Sequence, residues 1–297
     1  MQTSTKETKM TILLKGLEVA NTMTHTIQKE VDGFKEQGIY PKLAIVRVGE
    51  SPSDLSYEKG ALKRMEKCGI KTEVHVLSQE ADQSEVIKII KSANEDASVH
   101  GILMFRPLPK HMDETMIQEQ ISPEKDVDGM SMINFGKVMA GEVDGFPPAT
   151  PAAVMAILKH YQIEIKGKHC VIVGRSTVVG KPVAMMLLKE NGTVTISHSK
   201  TENLKEVCRR ADILVVAIGR GRMITKDYVK NGAVVIDVGI NIDENNQLCG
   251  DVNEGDCMDI ASALTPVPGG VGSVTTSILA AHVLKGCKTQ WLKNHKE

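Results

Sequence analysis

Three features of the sequence predict an α/β fold of two domains. The chain has 297 residues, which suggests about two domains. Short β-like apolar runs alternate with longer amphipathic segments, the pattern of parallel strands joined by crossover helices. Two breaker clusters, Gly145-Phe-Pro-Pro-Ala-Thr-Pro151 and Thr265-Pro-Val-Pro-Gly-Gly-Val-Gly272, interrupt that alternation. Neither a helix nor a central strand tolerates such prolines.

The elements follow in order. Lys42–Val48 reads as a strand, Ser53–Lys67 as a helix, and Gly69 as its C-cap. Thr72–Leu77 is the next strand, Gln83–Asn94 the next helix and Val99–Phe105 a third strand, which ends at Arg106-Pro-Leu-Pro109. The first breaker cluster marks an interdomain crossing, and Thr150 is expected to cap a helix with Pro151 in its first turn. A second α/β run has strands at His169–Val173, Thr193–Ser197, Asp212–Ala217 and Ala233–Asp237. The second cluster marks the return crossing, and Ser273–Lys285 reads as the final helix.

Composition narrows the function classes. Lys plus Arg is 36 and Asp plus Glu is 37, a net charge of -1, so a dedicated nucleic-acid binder is not expected. Only 3% of residues are aromatic, which weakens any base-stacking platform. No stretch approaches 18 uninterrupted apolar residues and no signal peptide is evident, so neither a membrane span nor secretion is expected. Six cysteines show no C-x-x-C pair and no zinc spacing. Free thiols in a reducing cytoplasm are the expectation, with no metal.

The segment from His169 to Leu188 is a strand, a glycine turn and a helix. Gly174 suits a tight turn, Gly180 lets the helix start close to the strand, and amides at a helix start can hold a phosphate. The spacing is G-x5-G rather than G-x-G-x-x-G, so the general dinucleotide fingerprint is imperfect. The next strand ends Ser197-His-Ser-Lys-Thr201, with no acid before Glu202. NAD-preferring folds place an acid there, whereas Arg175, Lys200 and nearby hydroxyls suit a 2′-phosphate. NADP is therefore favoured over NAD. His198 reads as a strand-end structural residue or a cofactor neighbour.

Four longer motifs carry a resemblance. They are Gly174-Arg-Ser-Thr-Val-Val-Gly-Lys-Pro182, His198-Ser-Lys-Thr201, Pro123-Glu-Lys-Asp-Val-Asp-Gly129 and Thr265–Gly272. Together they resemble the methylenetetrahydrofolate dehydrogenase/cyclohydrolase (FolD) family, over about Leu13 to Leu284. The resemblance implies two α/β domains, the second a Rossmann-like NADP domain, with an active-site cleft between them. It implies a discontinuous folate-binding catalytic domain, 1–149 plus 273–297, and an NADP-binding domain at 150–272. It also implies a homodimer and a tetrahydrofolate one-carbon substrate.

Site residues carry over motif by motif. Gly174, Arg175 and Ser176 match the family's NADP-contacting G-R-S, Ser199 its H-S-K-T serine, and Ile240 a further cofactor contact. Asp128 matches the aspartate that binds the pterin ring, and Tyr57 the tyrosine near the aminobenzoyl portion. Pro266, Val267, Pro268, Gly269 and Gly270 match a loop lining the folate site.

Two departures stand out. The family helix carries Y-x-x-x-K, whose lysine is central to cyclohydrolase chemistry, and here the lysine position holds Ala61. The family strand G-I-L-V-Q-L-P-L-P reads Gly101-Ile-Leu-Met-Phe-Arg-Pro-Leu-Pro109, so the glutamine that partners the lysine is Phe105. Lys59 and Lys63 lie about 200° around a helix from Ala61, and Arg64 about 60° away; guanidinium is a poor base. The expected function is NADP-dependent oxidation of 5,10-methylenetetrahydrofolate with weak or absent cyclohydrolase activity, leaving its product to a separate cyclohydrolase. The alternatives are a bifunctional enzyme that also forms 10-formyltetrahydrofolate, and a non-catalytic folate or NADP sensor.

Overall fold

The computed structural model describes residues 11–295. Its elements run β1 (Ile12–Leu13), α1 (Gly16–Glu36), β2 (Lys42–Val48), α2 (Pro52–Cys68), β3 (Lys71–Leu77), α3 (Gln83–Glu95), β4 (Gly101–Met104), α4 (Glu114–Gln118), α5 (Met132–Ala140) and α6 (Ala149–His160). There follow β5 (His169–Val173), α7 (Gly180–Lys189), β6 (Thr193–Ser197), α8 (Leu204–Cys208), β7 (Ile213–Val216), β8 (Val234–Asp237), β9 (Asn241–Ile242), β10 (Leu248–Cys249), α9 (Glu254–Cys257), β11 (Ala263–Leu264) and α10 (Thr275–Asn294). Among the described residues no helix is long and apolar enough to cross a membrane.

The chain forms two compact units. One holds residues up to Val19 together with Ala153–Ser273, and the other holds Ala20–Ala152 with the residues from Val274 on. The sequence reading placed all of 1–149 in one domain, with two crossings, and the structure differs. β1 pairs in parallel with β11, and Thr11 Oγ1 donates to the carbonyls of Met258 and Ala261. The N-terminal strand therefore belongs to the sheet of the 153–273 unit, and the chain passes between units a third time within α1. The other two passes lie at Ala152/Ala153 and Ser273/Val274. Thr150 is not a cap. α6 starts at Ala149, and the Ala152 amide already bonds the Pro148 carbonyl, so Thr150 sits inside the first turn.

The 20–152 unit is built on a parallel sheet of order β3-β2-β4. Central β2 is buried on both faces, as a parallel strand between helices should be. Alternation sends Leu43 and Ile45 to one face, with Leu103, Phe105 and the apolar sides of α1, α2 and α10. Ala44, Val46 and Val48 face the other side, with Ile102, Met104 and α3. α2 starts where Ser51 accepts from the Asp54 amide, and it ends at Gly69, in the left-handed region at φ 71°. Arg47, on β2, clamps the helix through a partly buried 2.8 Å ion pair to Glu58.

The other unit carries a six-stranded parallel sheet of order β1-β11-β8-β7-β5-β6. β5 leads to the next strand on one side, β6, and is flanked by β7 on the other. The direction of winding therefore reverses at β5, and a doubly wound sheet offers its binding crevice at that point. β9 and β10 form a small antiparallel pair.

Ile45 is fully buried at the centre of the smaller sheet. Ile45→Ala is expected to destabilise the protein by about 3 kcal/mol, read as a lower urea midpoint by far-UV circular dichroism. A loss below about 1 kcal/mol would contradict the packing described.

Candidate active site

Four of the residues picked from the sequence come together in the 20–152 unit. Tyr57 and Ala61 are four residues apart on α2, which places them on one helix face. Phe105 follows β4, and its ring lies 5.8 Å from the Tyr57 ring, edge to face at 78°. Ala61 and Phe105 both belong to the apolar cluster formed with Leu279, Ala280 and Val283 of α10, and Tyr57 packs against it. Neither nearby lysine substitutes for the missing one, because Lys59 and Lys63 are exposed. Arg64 is engaged elsewhere: it donates to Thr24 Oγ1 at 2.6 Å and to Thr276 Oγ1 at 3.4 Å.

Asp128 sits in a loop held from several sides. Ile102 of β4 bridges in parallel to Asp126, so the Asp126–Asp128 segment continues the sheet edge. The buried Asp126 carboxylate accepts from the Met130 and Ser131 amides and from Asn134 Nδ2. His282 Nδ1 lies 2.8 Å from the Val127 carbonyl. Burial pushes that imidazole down to about 4, so it is neutral at pH 7, with Nδ1–H donating. Asp128 itself is half-buried. Desolvation pushes its carboxyl up to about 7; Asp126 adds to the rise and the Arg106 guanidinium opposes it. Tyr57 feels the same carboxylate. Burial first, then Asp128, raises its phenol, while a hydrogen bond with Thr275 lowers it.

The cofactor candidates lie in the other unit. Gly174 follows β5 at φ 141°, and a Cβ there would collide with the Ala217 carbonyl after β7. A Cβ on Gly180 would collide with the Gly174 backbone. Only glycines permit this close turn at the winding reversal. The amides at the start of α7, expected to be able to hold a phosphate, bond locally within the turn. Ser176 Oγ accepts from Val179 and Gly180, and the Ser176 carbonyl accepts from Lys181. The Ser176 hydroxyl keeps its own hydrogen to donate.

Ser199 and Lys200 are exposed in a turn closed by Thr201 Oγ1, which accepts from the His198 amide, and by His198 Nδ1, which accepts from the Lys200 amide at 3.1 Å. His198 is thus a structural turn residue. β5 and β6 are neighbours in register, Val173 beside Ser197, so Arg175 and Ser199 each follow that pair by two residues. Among the described residues neither Arg175 nor Lys200 has an acidic partner. Ile240 and Pro266–Gly270 line one cavity of about 210 Å3 with Asp237 and Gly239. The loop expected at the folate therefore shares its cavity with a cofactor candidate.

Two buried carboxylates at these loops escape the sequence reading. Asp251 accepts from the Ile218, Gly219 and Arg220 amides at 2.7, 3.0 and 2.7 Å, and from Asn241 Nδ2. Asp237 accepts from the Gly239, Asp251 and Val252 amides, with its carboxyl pushed up to about 6 by burial. They fix the loops after β7 and β8. Glycine on either side, Gly239 and Gly250, is the signal in the sequence, since a Cβ at either would meet these carboxylates.

Two family models match the chain. Residues 14–128 match the tetrahydrofolate dehydrogenase/cyclohydrolase catalytic domain, and residues 148–291 its NAD(P)-binding domain. The chain belongs to the tetrahydrofolate dehydrogenase/cyclohydrolase family. A bifunctional protein FolD from Clostridioides difficile is 56% identical over 278 residues, covering 94% of this chain and 97% of that protein. The structure of a bifunctional FolD methylenetetrahydrofolate dehydrogenase/cyclohydrolase from Campylobacter jejuni superposes with a TM-score of 0.92 at 40% identity, covering 94% and 99% of the two chains. A Trypanosoma brucei FolD, solved with NADP cofactor and an inhibitor, gives 0.88 at 32% identity, covering 94% and 98%. At the glycine turn a Cβ on Gly174 or Gly180 would collide with backbone, and the nearby cations Arg175 and Lys200 are of the chemistry that NADP phosphates call for.

Asp251→Ala would leave three amides of one loop without their acceptor. The expected destabilisation is about 3 kcal/mol or more, measured by thermal unfolding, whereas an unchanged melting temperature would show that water replaces the carboxylate.

Proposed function

We propose that the chain oxidises 5,10-methylenetetrahydrofolate to 5,10-methenyltetrahydrofolate with NADP+ and has little or no cyclohydrolase activity. The observation that carries this reading is a contrast. Residues matching the cofactor and pterin positions are present, while the two cyclohydrolase positions, Ala61 and Phe105, lie in one apolar cluster. Bound NADP+ would accept the hydride at nicotinamide C4.

The chain's residues then have separable tasks. Asp128, when ionised, accepts from the pterin amino and N–H groups. The Tyr57 ring supplies an apolar face for the aminobenzoyl portion. Ser176, Ser199 and Arg175 donate to cofactor phosphate, and Arg175 and Lys200 favour a 2′-phosphate over a bare ribose. A cavity of about 210 Å3 is smaller than the roughly 300–1,000 Å3 of whole-ligand pockets, so the Ile240 and Pro266–Gly270 cavity takes one ring. The methylene carbon stands between two nitrogens whose lone pairs stabilise the cation left by hydride loss. No protein group need remove a proton in that step, so orientation does most of the work.

Ring opening by water makes a different demand, since it gains from a positioned acid or base. An apolar pair at 61 and 105 supplies none, and it leaves the methenyl product to a separate cyclohydrolase. A second reading, that the enzyme is bifunctional, is favoured by one observation: relatives as close as 56% identity are called bifunctional.

A homodimer fits the sheet edge. β3 is a seven-residue edge strand with Val76 53% exposed, a surface that proteins seldom leave bare. All six cysteines are free and buried, which suits a reducing, cytoplasmic setting.

Feeding methenyltetrahydrofolate to the purified protein separates the two readings. Hydrolysis is expected within about ten-fold of the spontaneous rate, and Ala61→Lys with Phe105→Gln is expected to raise it about a hundred-fold. Robust hydrolysis by the unaltered protein would sink the first reading. Ala61→Lys alone should lower stability, because its amine enters an apolar cluster without a partner.

The pH dependence has a definite sign. Asp128 must be ionised to accept, and its carboxyl titrates near about 7. The KM for the folate should therefore rise as pH falls below that value, while the KM for NADP+ stays flat. Asp128→Asn should raise the folate KM at least about ten-fold and flatten its pH profile. A pH-independent folate KM in the unaltered enzyme would count against the role given to Asp128.

A further inference from the structure

We infer that Arg106 is a specificity-determining substrate residue, whose guanidinium donates to the 4-oxo oxygen of the pterin ring while Asp128 accepts from the adjoining N–H and amino groups. The inference rests on the reading of Asp128 given above and deepens it.

Arg106 follows Phe105, the residue that contacts the Tyr57 ring. Its Nη2 reaches Met130 Sδ at 3.2 Å, two residues beyond Asp128, and its Nη1 lies 3.5 Å from Glu114. Glu114 is itself anchored by accepting from the Leu108 amide. The guanidinium is thus held against the Asp128 loop by a thioether and one long ionic contact. Guanidinium has five donors, and a thioether is a weak acceptor, so most of its hydrogen-bonding capacity remains available for a ligand. Its charge acts on Asp128 and lowers that carboxyl, yet Arg106 has no ion pair with Asp128 within 4 Å among the described residues. The two groups therefore lie near each other without an ion pair.

The ring edge that fits such a pair has two donors and then an acceptor. A 2-amino-4-oxo pterin presents that order: amino, N–H, carbonyl oxygen. A carboxylate alone satisfies the donors and repels the neighbouring oxygen lone pairs. A fixed cation beside it removes the repulsion and completes the edge. The family pattern that the strand resembles has leucine where Arg106 stands. The groups acting around Asp128 are Arg106 after β4, Tyr57 from α2, Asp126 in its own loop, and, behind Val127, the neutral His282 of α10 with Lys285 nearby.

Arg106→Leu, Arg106→Lys and Asp128→Asn are compared with the unaltered full chain, by steady-state oxidation of methylenetetrahydrofolate with NADP+ between about pH 6 and 9, a range spanning the Asp128 titration. Arg106→Leu should raise the folate KM about ten-fold or more, leave the NADP+ KM unmoved, and shift the acidic limb of kcat/KM to higher pH. Arg106→Lys should restore that limb, because the charge returns, but only part of the KM, because the fork does not. A folate KM within about two-fold of the unaltered enzyme in Arg106→Leu, with Asp128→Asn still impaired, overturns the inference and leaves the role of Asp128 standing. Equal rises in both KM values also overturn it, since that marks a structural role. If Asp128→Asn changes nothing, the reading of the pterin site falls first and this inference with it.

Discussion

Parallel strand pairing is the constraint on which the rest depends. Both main sheets are wholly parallel, so within each unit all strand ends of one polarity gather on one edge. Every candidate residue follows such a carboxyl end. Gly49 and then α2 with Tyr57 come after β2, and Phe105 and Arg106 after β4. Asp128 comes just after the parallel bridge at Asp126. Gly174, Ser199, Ile240 and Pro266 come after β5, β6, β8 and β11. Crossover helices enforce this arrangement, because a parallel neighbour can be reached only by returning the chain to the opposite edge. Candidate residues are thereby gathered past one edge of each sheet, while the apolar sheet interiors set their positions.

The loops need their own support, and buried carboxylates provide it. Asp126, Asp237 and Asp251 each accept from two or three backbone amides. An anion that gathers amides turns a floppy connection into a fixed platform. These residues touch no substrate in the reading offered above. Asp128 is different: desolvation shifts its carboxyl toward neutrality, against the pull of the Arg106 guanidinium. Nearby, Ala61 and Phe105 are buried in one apolar cluster.

Much of this was legible in the sequence where periodicity is strong. The strands at Lys42–Val48, His169–Val173 and Thr193–Ser197 have the predicted bounds. The Gly69 cap and the Gly174 turn are legible because only glycine suits their positive φ. β1 and β11 are two residues each, too short for any period to register, and their pairing joins segments some 250 residues apart. No helix is predicted over Gly16–Glu36, where α1 stands. Asp128 was found through its motif, whereas Asp126, two residues earlier in the same motif, reads as equivalent until burial separates them. Arg106 sits in plain view, but its meaning depends on Met130 and Asp128 reaching it from another segment. The Ser176 contacts were invisible because composition does not say which acceptor an amide will choose.

The β1 staple makes the start of the described chain and the Pro266–Gly270 loop a single mechanical piece. The Leu14 amide bonds the Leu264 carbonyl, and the Gly16 amide bonds the Gly269 carbonyl. A pull on β1 is delivered to the loop that lines a cavity with Ile240. Load carried by β1 is thus shared with the loop that lines the Ile240 cavity.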